Sequence, residues 1–169
     1  RGVHVRASGE EPETVGGGNP RDPSGRAPVG YSMLSGVRVL ELSLLAPDLL
    51  GMHLADLGAD VIKIEQPPRG DYIRELGAHK AGGLSFLHLR WNRGKRSLTL
   101  DCKRERGRQL LRGLAASADV VIDGLRSGAA ERIGAGYAAL RESKPSLVYC
   151  SLSGTGRDGP YARLATHGV

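Results

Sequence analysis

Short apolar segments alternate with longer segments of helical character along most of this chain, and this alternation constrains the fold more than any other feature. The segments VRVLELS (37–43), DVIKIE (60–65), DVVID (119–123) and SLVYCSLSG (146–154) are rich in Val, Ile and Leu. The last three contain near-continuous apolar runs, which are typical of strands covered on both faces. Strands that alternate with helices in this way predict an α/β fold with a largely parallel sheet.

The segments between these strands supply the predicted helices. Apolar residues at near-helical spacing predict helices over 47–59 and 103–118, and a third helix with a glycine-rich interruption over 128–143. A further strand is predicted over 97–102, whereas composition makes 67–83 a loop with one short helical turn. The first strand, the first helix and the second strand together form a right-handed βαβ unit.

The first 32 residues differ in composition from the rest of the chain. They contain seven glycines and four prolines, show no hydrophobic period, and carry four arginines against three glutamates and one aspartate. Such a segment buries too little apolar area to offset its ordering entropy, so we predict that 1–32 is a disordered extension and 33–169 a single domain. Met33 stands immediately before the first strand and is the expected natural start, which would make the extension non-native. A flexible tail with a binding role is the alternative.

The net charge of +6 favours an anionic partner, either a nucleic acid or a small anion. No zinc-finger, RNP or helix-turn-helix pattern stands in the sequence, so we expect no nucleic-acid partner. No apolar run approaches the roughly 18 residues of a membrane span, and Cys102 and Cys150 lack metal-type spacing. We therefore expect neither a membrane partner nor a metal, and a location in the reducing cytoplasm.

The stretch 92–111 concentrates seven Lys or Arg residues in twenty positions. Several of them fall on the polar face of the predicted helix over 103–118, where exposure to solvent explains them. Four flank the two ends of the preceding strand, where loops converge on ligands: Arg93, Lys95, Arg96 and Lys103. These four are either ligand contacts or structural charges.

Two local patterns indicate the class of ligand without identifying it. Glu65 ends the second strand, as the ribose-binding acid of a dinucleotide fold does, but no GxGxxG pattern follows the first strand. The glycine-rich SGTGRDGP (153–160) lacks the Lys-Ser/Thr pair of a P-loop, although its backbone N–H groups could face an anion or a thioester carbonyl. A strand-end charge and a tight turn are the alternatives at these two positions.

Candidate nucleophiles are scattered along the chain, and none stands in a GxSxG elbow. They are Ser43, Asp101, Cys102, Asp123 and Cys150. The two cysteines stand in apolar contexts, where cysteine is usually a core residue. Residue types and spacing alone thus predict an α/β domain that binds an anionic ligand.

Longer motifs follow one another from Leu34 to about Ala162: LSGVRVLELS, HLADLGADVIKIEQP, NRGKRSLTLDCK, GRQLLRGLAASADVVID, ERIGAGYAAL and PSLVYCSLSGTGRDGPYA. Their order resembles the class III CoA-transferase family, which includes formyl-CoA transferase, carnitine CoA-transferase and α-methylacyl-CoA racemase. The resemblance implies a Rossmann-like, largely parallel sheet with helices on both faces, as the N-terminal part of the family's large domain. Because family members are much longer, it also implies that the chain is an N-terminal fragment.

The resemblance further implies a site for CoA or acyl-CoA, as a substrate rather than a tightly bound cofactor. The family holds CoA with the loop after strand 1, the LDxK strand end, the loop after DVVID, the arginine of ERxG and the glycine-rich loop. By motif match the implied contacts are Ala46, Leu100, Asp101, Lys103, Leu125, Arg132 and Gly154. Lys103 and Arg132 are the expected phosphate contacts, since Lys and Arg suit phosphate groups.

Some positions depart from the family pattern. The usual AGP after strand 1 is APD here, and the usual ENFRPG is DGLRSG, which puts Leu125 where an aromatic residue is common. The racemase motif GHD is matched by THGV, which keeps His167 but has Gly168 in place of the catalytic Asp. The aspartate that carries the transferase intermediates is expected beyond Val169, so the resemblance implies no catalytic residue in this chain.

The resemblance therefore implies that the full-length protein transfers CoA from an acyl-CoA to a carboxylic acid through aspartyl-CoA chemistry. The family forms an interlocked homodimer, which is the expected assembly here, and the isolated fragment is expected to be inactive. An acyl-CoA racemase relative and a non-catalytic CoA-binding module are the alternatives.

Overall fold

The computed structural model describes residues 33–162 and residue 164, and the predicted disordered extension 1–32 lies outside the described residues. In chain order the strands are β1 (Arg38–Leu42), β2 (Asp60–Glu65), β3 (Lys80–Ala81), β4 (Leu84–Ser85), β5 (Arg96–Thr99), β6 (Val120–Asp123) and β7 (Val148–Ser151). The α-helices are α1 (Asp48–Asp56), α2 (Phe86–Trp91), α3 (Glu105–Ser117), α4 (Ala129–Arg132) and α5 (Tyr137–Ser143), and a 3-10 helix covers Tyr72–Arg74. None of the helices in this part of the chain is long and apolar enough to cross a membrane.

Five strands form one sheet in the order β5-β2-β1-β6-β7, and every neighbouring pair is parallel. In the central strand β1, Leu40 pairs with Ile62 of β2 on one side and with Val121 of β6 on the other. The chain adds β2 and β5 on one side of β1, then returns to add β6 and β7 on the other side. The strand order therefore reverses between β1 and β6, and the carboxyl ends of all five strands lie on one edge.

Helices cover both faces of this sheet, as predicted, and two groups of core residues show it. One group joins β1, β2 and β6 to α1: Val39, Val61, Ile122, Leu50 and Leu54. The other group joins the same strands to α3 and α5: Leu40, Ile62, Val121, Leu111, Ala115 and Leu140. Successive strand residues thus enter different cores, which explains the near-continuous apolar runs in the sequence.

The predicted boundaries of several elements are wrong. The strand predicted over 146–154 is β7 (Val148–Ser151), because its neighbour β6 ends at Asp123, directly opposite Ser151. The strand predicted over 97–102 ends at Thr99, because the neighbouring strand β2 ends at Glu65, directly opposite Thr99. The helix predicted over 128–143 is two helices, α4 and α5, separated by a turn in which Gly134 has a φ of 76°. Glycine adopts this left-handed conformation without steric cost, so the glycine-rich interruption ends α4.

The β3–β4 hairpin and α2 have no counterpart in the prediction, whereas the short helical turn predicted in 67–83 is the 3-10 helix. Strands of two residues are too short to show a period of two. α2 begins after Ser85, whose Oγ accepts a hydrogen bond from the backbone N–H of His88. The same hydroxyl donates to the backbone carbonyl of Ile73, so the start of α2 depends on a contact with a distant segment.

Candidate functional site

A cavity of about 720 Å³ opens at the carboxyl edge of the sheet, where the strand order reverses between β1 and β6. Open α/β sheets bind ligands at this position, outside the carboxyl ends of the strands. Several parts of the chain line the cavity: 44–47 and Leu49 after β1, Tyr72 after β2, 124–127, Ala129 and Arg132 after β6, and 152–154, Ala162 and Leu164 after β7. This cavity is the candidate functional site.

Four of the seven site residues expected from the sequence line this cavity: Ala46, Leu125, Arg132 and Gly154. Ala46 belongs to the loop after β1 and Leu125 to the loop after β6, while Arg132 ends α4 and Gly154 lies in the glycine-rich loop. They converge because β1, β6 and β7 are adjacent and parallel, so the segments that leave these strands begin at the same edge.

The other three expected residues, Leu100, Asp101 and Lys103, follow β5 and do not line the cavity. β5 is separated from β1 by β2, so these residues lie on the same edge of the sheet but two strands away. Leu100 packs against the core formed with α3 and α5. The Asp101 carboxylate accepts hydrogen bonds from the backbone N–H of Lys103 and from Nε of Arg104, each at 3.1 Å.

The cavity wall combines apolar side chains with positive charge. Six leucines are among its apolar lining residues: Leu44, Leu45, Leu49, Leu125, Leu152 and Leu164. Arg126 and Arg132 also line it, and no Asp or Glu is among its lining residues in the part of the chain that the structure describes. Such a wall suits a ligand with one anionic and one apolar part. Arg126 was not predicted, although it stands beside Leu125 in the motif DGLRSG.

The glycine-rich loop is fastened to the end of β6. Nη2 of Arg157 donates to the backbone carbonyl of Asp123 at 2.9 Å and forms an ion pair with its carboxylate at 2.8 Å. The hydroxyl of Tyr149 donates to the same carboxylate at 3.0 Å, and burial and this carboxylate raise the pKa of Tyr149. Asp123 is therefore a buried acceptor that positions the loop carrying Gly154, rather than an exposed nucleophile.

The remaining candidate nucleophiles are also engaged or removed from the cavity. Ser43 is buried, and its hydroxyl donates to Oδ1 of Asp48 at 2.6 Å. Burial, helped by the neighbouring Asp101, raises the pKa of the Cys102 thiol, which reduces its thiolate fraction. Neither Cys102 nor Cys150 lines the cavity. Within the described residues, no group of three His, Cys, Asp or Glu side chains could hold a metal ion.

Five charged side chains are buried near the loop after β1, and their association was not predicted from the sequence. We call Glu41, Asp48, Lys63, Asp71 and Lys95 the buried charge cluster. Nζ of Lys63 lies 2.5 Å from Oδ1 of Asp48 and 2.7 Å from Oδ2 of Asp71. Nζ of Lys95 lies 2.6 Å from Oε2 of Glu41. Each of these side chains is at most 2% exposed, a degree of burial that charged groups reach when they are paired.

Burial and pairing oppose each other within the buried charge cluster. Burial by itself lowers the pKa of Lys63, but Asp48 and Asp71 outweigh it and raise that pKa. Burial by itself raises the pKa of Asp48, but Lys63 and the Ser43 hydroxyl lower it. For Glu41 and Asp71, burial prevails over the neighbouring lysines and raises the pKa. The buried charge cluster thus places three carboxyl groups beside two lysines.

Three of the basic residues that flank β5 have structural partners. Arg93 forms an exposed ion pair with Asp56, at the end of α1. Arg96 pairs with Asp60 at 3.0 Å, and Lys95 belongs to the buried charge cluster. These partners give each of the three residues a structural role, and none of them lines the cavity.

Glu65 is a structural charge at the end of β2. Its carboxylate accepts hydrogen bonds from Nη2 of Arg74 at 2.5 Å, from the Ser97 hydroxyl at 2.6 Å and from the backbone N–H of Asp71 at 2.8 Å. Burial by itself raises the pKa of Glu65, but these three hydrogen bonds outweigh it and lower that pKa to about 2. The alternative of a strand-end charge thus accounts for Glu65 without a ribose.

Comparison with known proteins identifies relatives over nearly the whole described chain. Residues 34–169 match the model of CoA-transferase family III. A succinate–glutarate CoA-transferase from Agrobacterium fabrum is 44% identical over 140 residues, which cover 78% of this chain and 35% of that protein. An alpha-methylacyl-CoA racemase from Mus musculus is 40% identical over 138 residues, 81% of this chain and 32% of that protein.

Solved structures share the fold of this chain. The crystal structure of a CaiB/BaiF family protein from Brucella suis superimposes with a TM-score of 0.72 at 44% identity, over 78% of this chain and 36% of that one. The chain thus spans about a third of the length of the proteins it matches. These matches confirm the family expected from the sequence motifs: the chain belongs to CoA-transferase family III.

Proposed function

We propose that the natural full-length protein containing this chain transfers CoA from an acyl-CoA to a carboxylic acid, and that the cavity between β1 and β6 binds CoA. The observation that carries this proposal is the combination of Arg126 and Arg132 with an apolar wall at the carboxyl edge of the sheet. CoA joins phosphate groups to an adenine ring and a pantetheine chain, and therefore needs both kinds of surface. Membership of CoA-transferase family III supports the same ligand.

Different residues around the cavity are proposed to bind different parts of CoA. Arg132 and Arg126 bind phosphate oxygens, because guanidinium groups form charge-assisted hydrogen bonds with them. Leu125 and Ala46 pack against the adenine ring or the pantetheine chain. A leucine offers contact area there without the ring stacking that an aromatic side chain would add. Backbone N–H groups near Gly154 face the thioester oxygen, where negative charge develops during the reaction.

The residues after β5 belong to the proposed site if CoA lies along the edge of the sheet. Leu100, Asp101 and Lys103 are two strands from β1 on the same edge, so an extended ligand that begins at Arg132 would run toward them. Lys103 is exposed and would bind a second phosphate group in this orientation.

The proposed reaction follows the chemistry of the family. An aspartate carboxylate of the full-length protein attacks the thioester carbonyl, and the C–S bond breaks to give a mixed anhydride and CoA thiolate. The thiolate attacks the aspartyl carbonyl, which releases the donor acid as a carboxylate and leaves an aspartyl-CoA thioester. The acceptor carboxylate attacks this thioester and frees the thiolate again. The thiolate then attacks the acceptor's acyl carbonyl, which forms the product thioester and regenerates the aspartate.

The test is a transfer assay with the full-length protein. Succinyl-CoA is a suitable donor, because the Agrobacterium fabrum relative is a succinate–glutarate CoA-transferase. Isotopically labelled carboxylic acids serve as acceptors, and mass spectrometry detects the labelled CoA thioester. The proposal predicts one labelled thioester for each succinate released. If the protein binds CoA but transfers it to no acid, the alternative of a non-catalytic CoA-binding module is favoured. If it neither binds nor transfers CoA, the proposal is refuted.

Racemisation of an acyl-CoA is the second candidate, supported by the 40% identity to the mouse alpha-methylacyl-CoA racemase. Gly168, in the position of the racemase aspartate, argues against it, although residues 167 and 168 lie outside the described part of the chain. Incubation of one stereoisomer of a 2-methylacyl-CoA distinguishes the two reactions. Loss of stereochemical purity without any acceptor acid would favour the racemase over the transferase.

The assembly and the location are part of the same proposal. The full-length protein is proposed to form the interlocked homodimer of its family and to act in the cytoplasm on acyl-CoA and carboxylic acid substrates. Light scattering on the purified full-length protein tests the dimer, since it reports a mass independent of shape. A monomeric mass would contradict the proposed assembly.

A further inference from the structure

The ammonium group of Lys63 contacts residues that flank two walls of the cavity. Nζ of Lys63 donates to the backbone carbonyl of Ser43 at 3.2 Å and lies 2.5 Å from the carboxylate of Asp48. Ser43 and Asp48 are the residues on either side of 44–47, the wall segment after β1. The third partner of Lys63 is Asp71, at 2.7 Å, and Asp71 immediately precedes the wall residue Tyr72. One buried side chain thus holds the bases of two walls.

The wall segment between Ser43 and Asp48 contains a strained residue. Leu45 has a φ of 60°, and it is the one non-glycine residue with a positive φ in the described part of the chain. Any residue with a β-carbon is disfavoured in this left-handed conformation, because the β-carbon approaches the following carbonyl oxygen. The conformation persists when the surrounding structure fixes it. The bonds from Lys63 to Ser43 and Asp48 fix both ends of the segment that contains Leu45.

Asp71 is held by a second set of bonds, which makes its position well defined. One of its oxygens accepts the backbone N–H of Ile73 at 3.0 Å, and its own backbone N–H donates to Glu65 at 2.8 Å. The other oxygen faces Lys63. Two residues of β2, Glu65 and Lys63, therefore hold the turn that places Tyr72 on the cavity wall.

We propose that Lys63 is a positioning residue of the cavity, which sets the separation of the β1 wall and the Tyr72 wall and thereby the affinity for CoA. Its side chain is 2% exposed, so it acts through Ser43, Asp48 and Asp71 rather than by touching the ligand. This inference rests on the proposed function for the identity of the ligand. A purely structural role would affect stability alone and leave the shape of the folded cavity unchanged.

The test compares three variants of the full-length protein. Lys63→Met removes the ammonium group at similar length, and Asp71→Asn removes one of its partners with little change of shape. Asp60→Asn is the matched control, because Asp60 begins the same strand and pairs with Arg38 at 2.8 Å at the edge opposite the cavity. Hydrogen exchange of the backbone amides of 48–50 reports on the β1 wall, because these amides donate to the carbonyls of 45–47, and exchange of 71–74 reports on the Tyr72 wall. Calorimetric titration gives the affinity for CoA.

The proposal predicts faster exchange at both walls in Lys63→Met and Asp71→Asn but not in Asp60→Asn. It also predicts that the first two bind CoA about tenfold more weakly, as expected when the groups that orient a ligand are displaced. If Lys63→Met does not fold, Asp71→Asn decides the question.

The proposal is overturned if the wall amides exchange no faster in Lys63→Met and Asp71→Asn than in Asp60→Asn. Faster exchange with unchanged CoA affinity would overturn it as well, because the walls would then not set the affinity. Failure of the wild-type protein to bind CoA would count against the proposed function instead. The exchange data alone would then still support or refute the role of Lys63 in holding the two walls.

Discussion

Lys63 and Asp48 form an ion pair in which neither side chain is more than 2% exposed, with 2.5 Å between Nζ and Oδ1. The pair connects the middle of β2 to the first residue of α1. Asp48 also accepts hydrogen bonds from the Ser43 hydroxyl at 2.6 Å and from Nδ2 of Asn92 at 3.1 Å, and its backbone carbonyl accepts from Lys95 at 2.7 Å. Asp48 thus fixes the point at which the cavity loop becomes a helix.

Asp48→Asn is expected to destabilise the full-length protein by about 3 kcal/mol, because it leaves a buried lysine with one carboxylate fewer. Asp56→Asn is the matched control at the other end of α1, since Asp56 pairs with Arg93 at the surface. Its expected effect is within about 0.5 kcal/mol. Chemical unfolding of the two variants measures both values, and equal effects would contradict the central place of Asp48.

Glu65 is expected to make stability depend on pH in the acid range. Its pKa is lowered from 4.5 to about 2 in the folded protein, so its stabilising contribution is complete above about pH 4.5 and is lost as the pH falls toward 2. Glu65→Gln removes this contribution. The difference in unfolding free energy between wild type and Glu65→Gln should therefore be constant near neutral pH and shrink below about pH 4.5. A difference that stays constant down to pH 2 would show that Glu65 has no lowered pKa.

Two glycines of α3 are expected to respond in opposite ways to the same substitution. A methyl group at Gly113 meets nothing within 4 Å, so Gly113→Ala should stabilise the protein by about 0.5–1 kcal/mol through helix propensity. A methyl group at Gly107 would lie 2.6 Å from the carbonyl carbon of Asp101. Gly107→Ala should therefore destabilise by about 1–3 kcal/mol and displace the loop after β5. Thermal unfolding measures both changes, and stabilisation by Gly107→Ala would contradict this packing.

The strain at Leu45 predicts a dependence on side-chain shape. Leu45→Ile keeps the volume but places a branched β-carbon in the left-handed conformation, where β-branched residues are outliers, so a loss of about 1–2 kcal/mol is expected. Leu44→Ile is the control, because Leu44 adjoins it, is 41% exposed and has no positive φ. It should change the stability by less than about 0.5 kcal/mol. Equal losses at both positions would mean that backbone strain is not the cause.

The sheet could be predicted because its strands carry a signal that needs no knowledge of distant contacts. β2 and β6 are short apolar runs between helical segments, and the parallel sheet with helices on both faces follows from that alternation. The β3–β4 hairpin and α2 could not be predicted in the same way. Each is too short to show a period, and α2 begins after Ser85, whose hydroxyl donates to the backbone carbonyl of Ile73.

The site could be predicted in part for a similar reason. Ala46, Leu125, Arg132 and Gly154 stand in motifs, and the parallel sheet brings those motifs to one edge. The buried charge cluster could not be predicted, because a lysine in a strand indicates a solvent-exposed position unless its partners are known. The partners of Lys63 come from the start of α1 and from the loop after β2, and no local pattern links these segments.

The most direct test of CoA binding in this cavity is a calorimetric titration of CoA into the full-length protein, with Arg132→Met and Arg141→Met as paired variants. Arg132 lines the cavity, whereas Arg141 lies on α5 with its guanidinium over the ring of Tyr137, so both variants lose the same charge. If this cavity binds CoA, wild type and Arg141→Met bind CoA equally, and Arg132→Met binds it about tenfold more weakly. Equal affinities for the two variants, or no binding by the wild type, would contradict the assignment of this cavity to CoA.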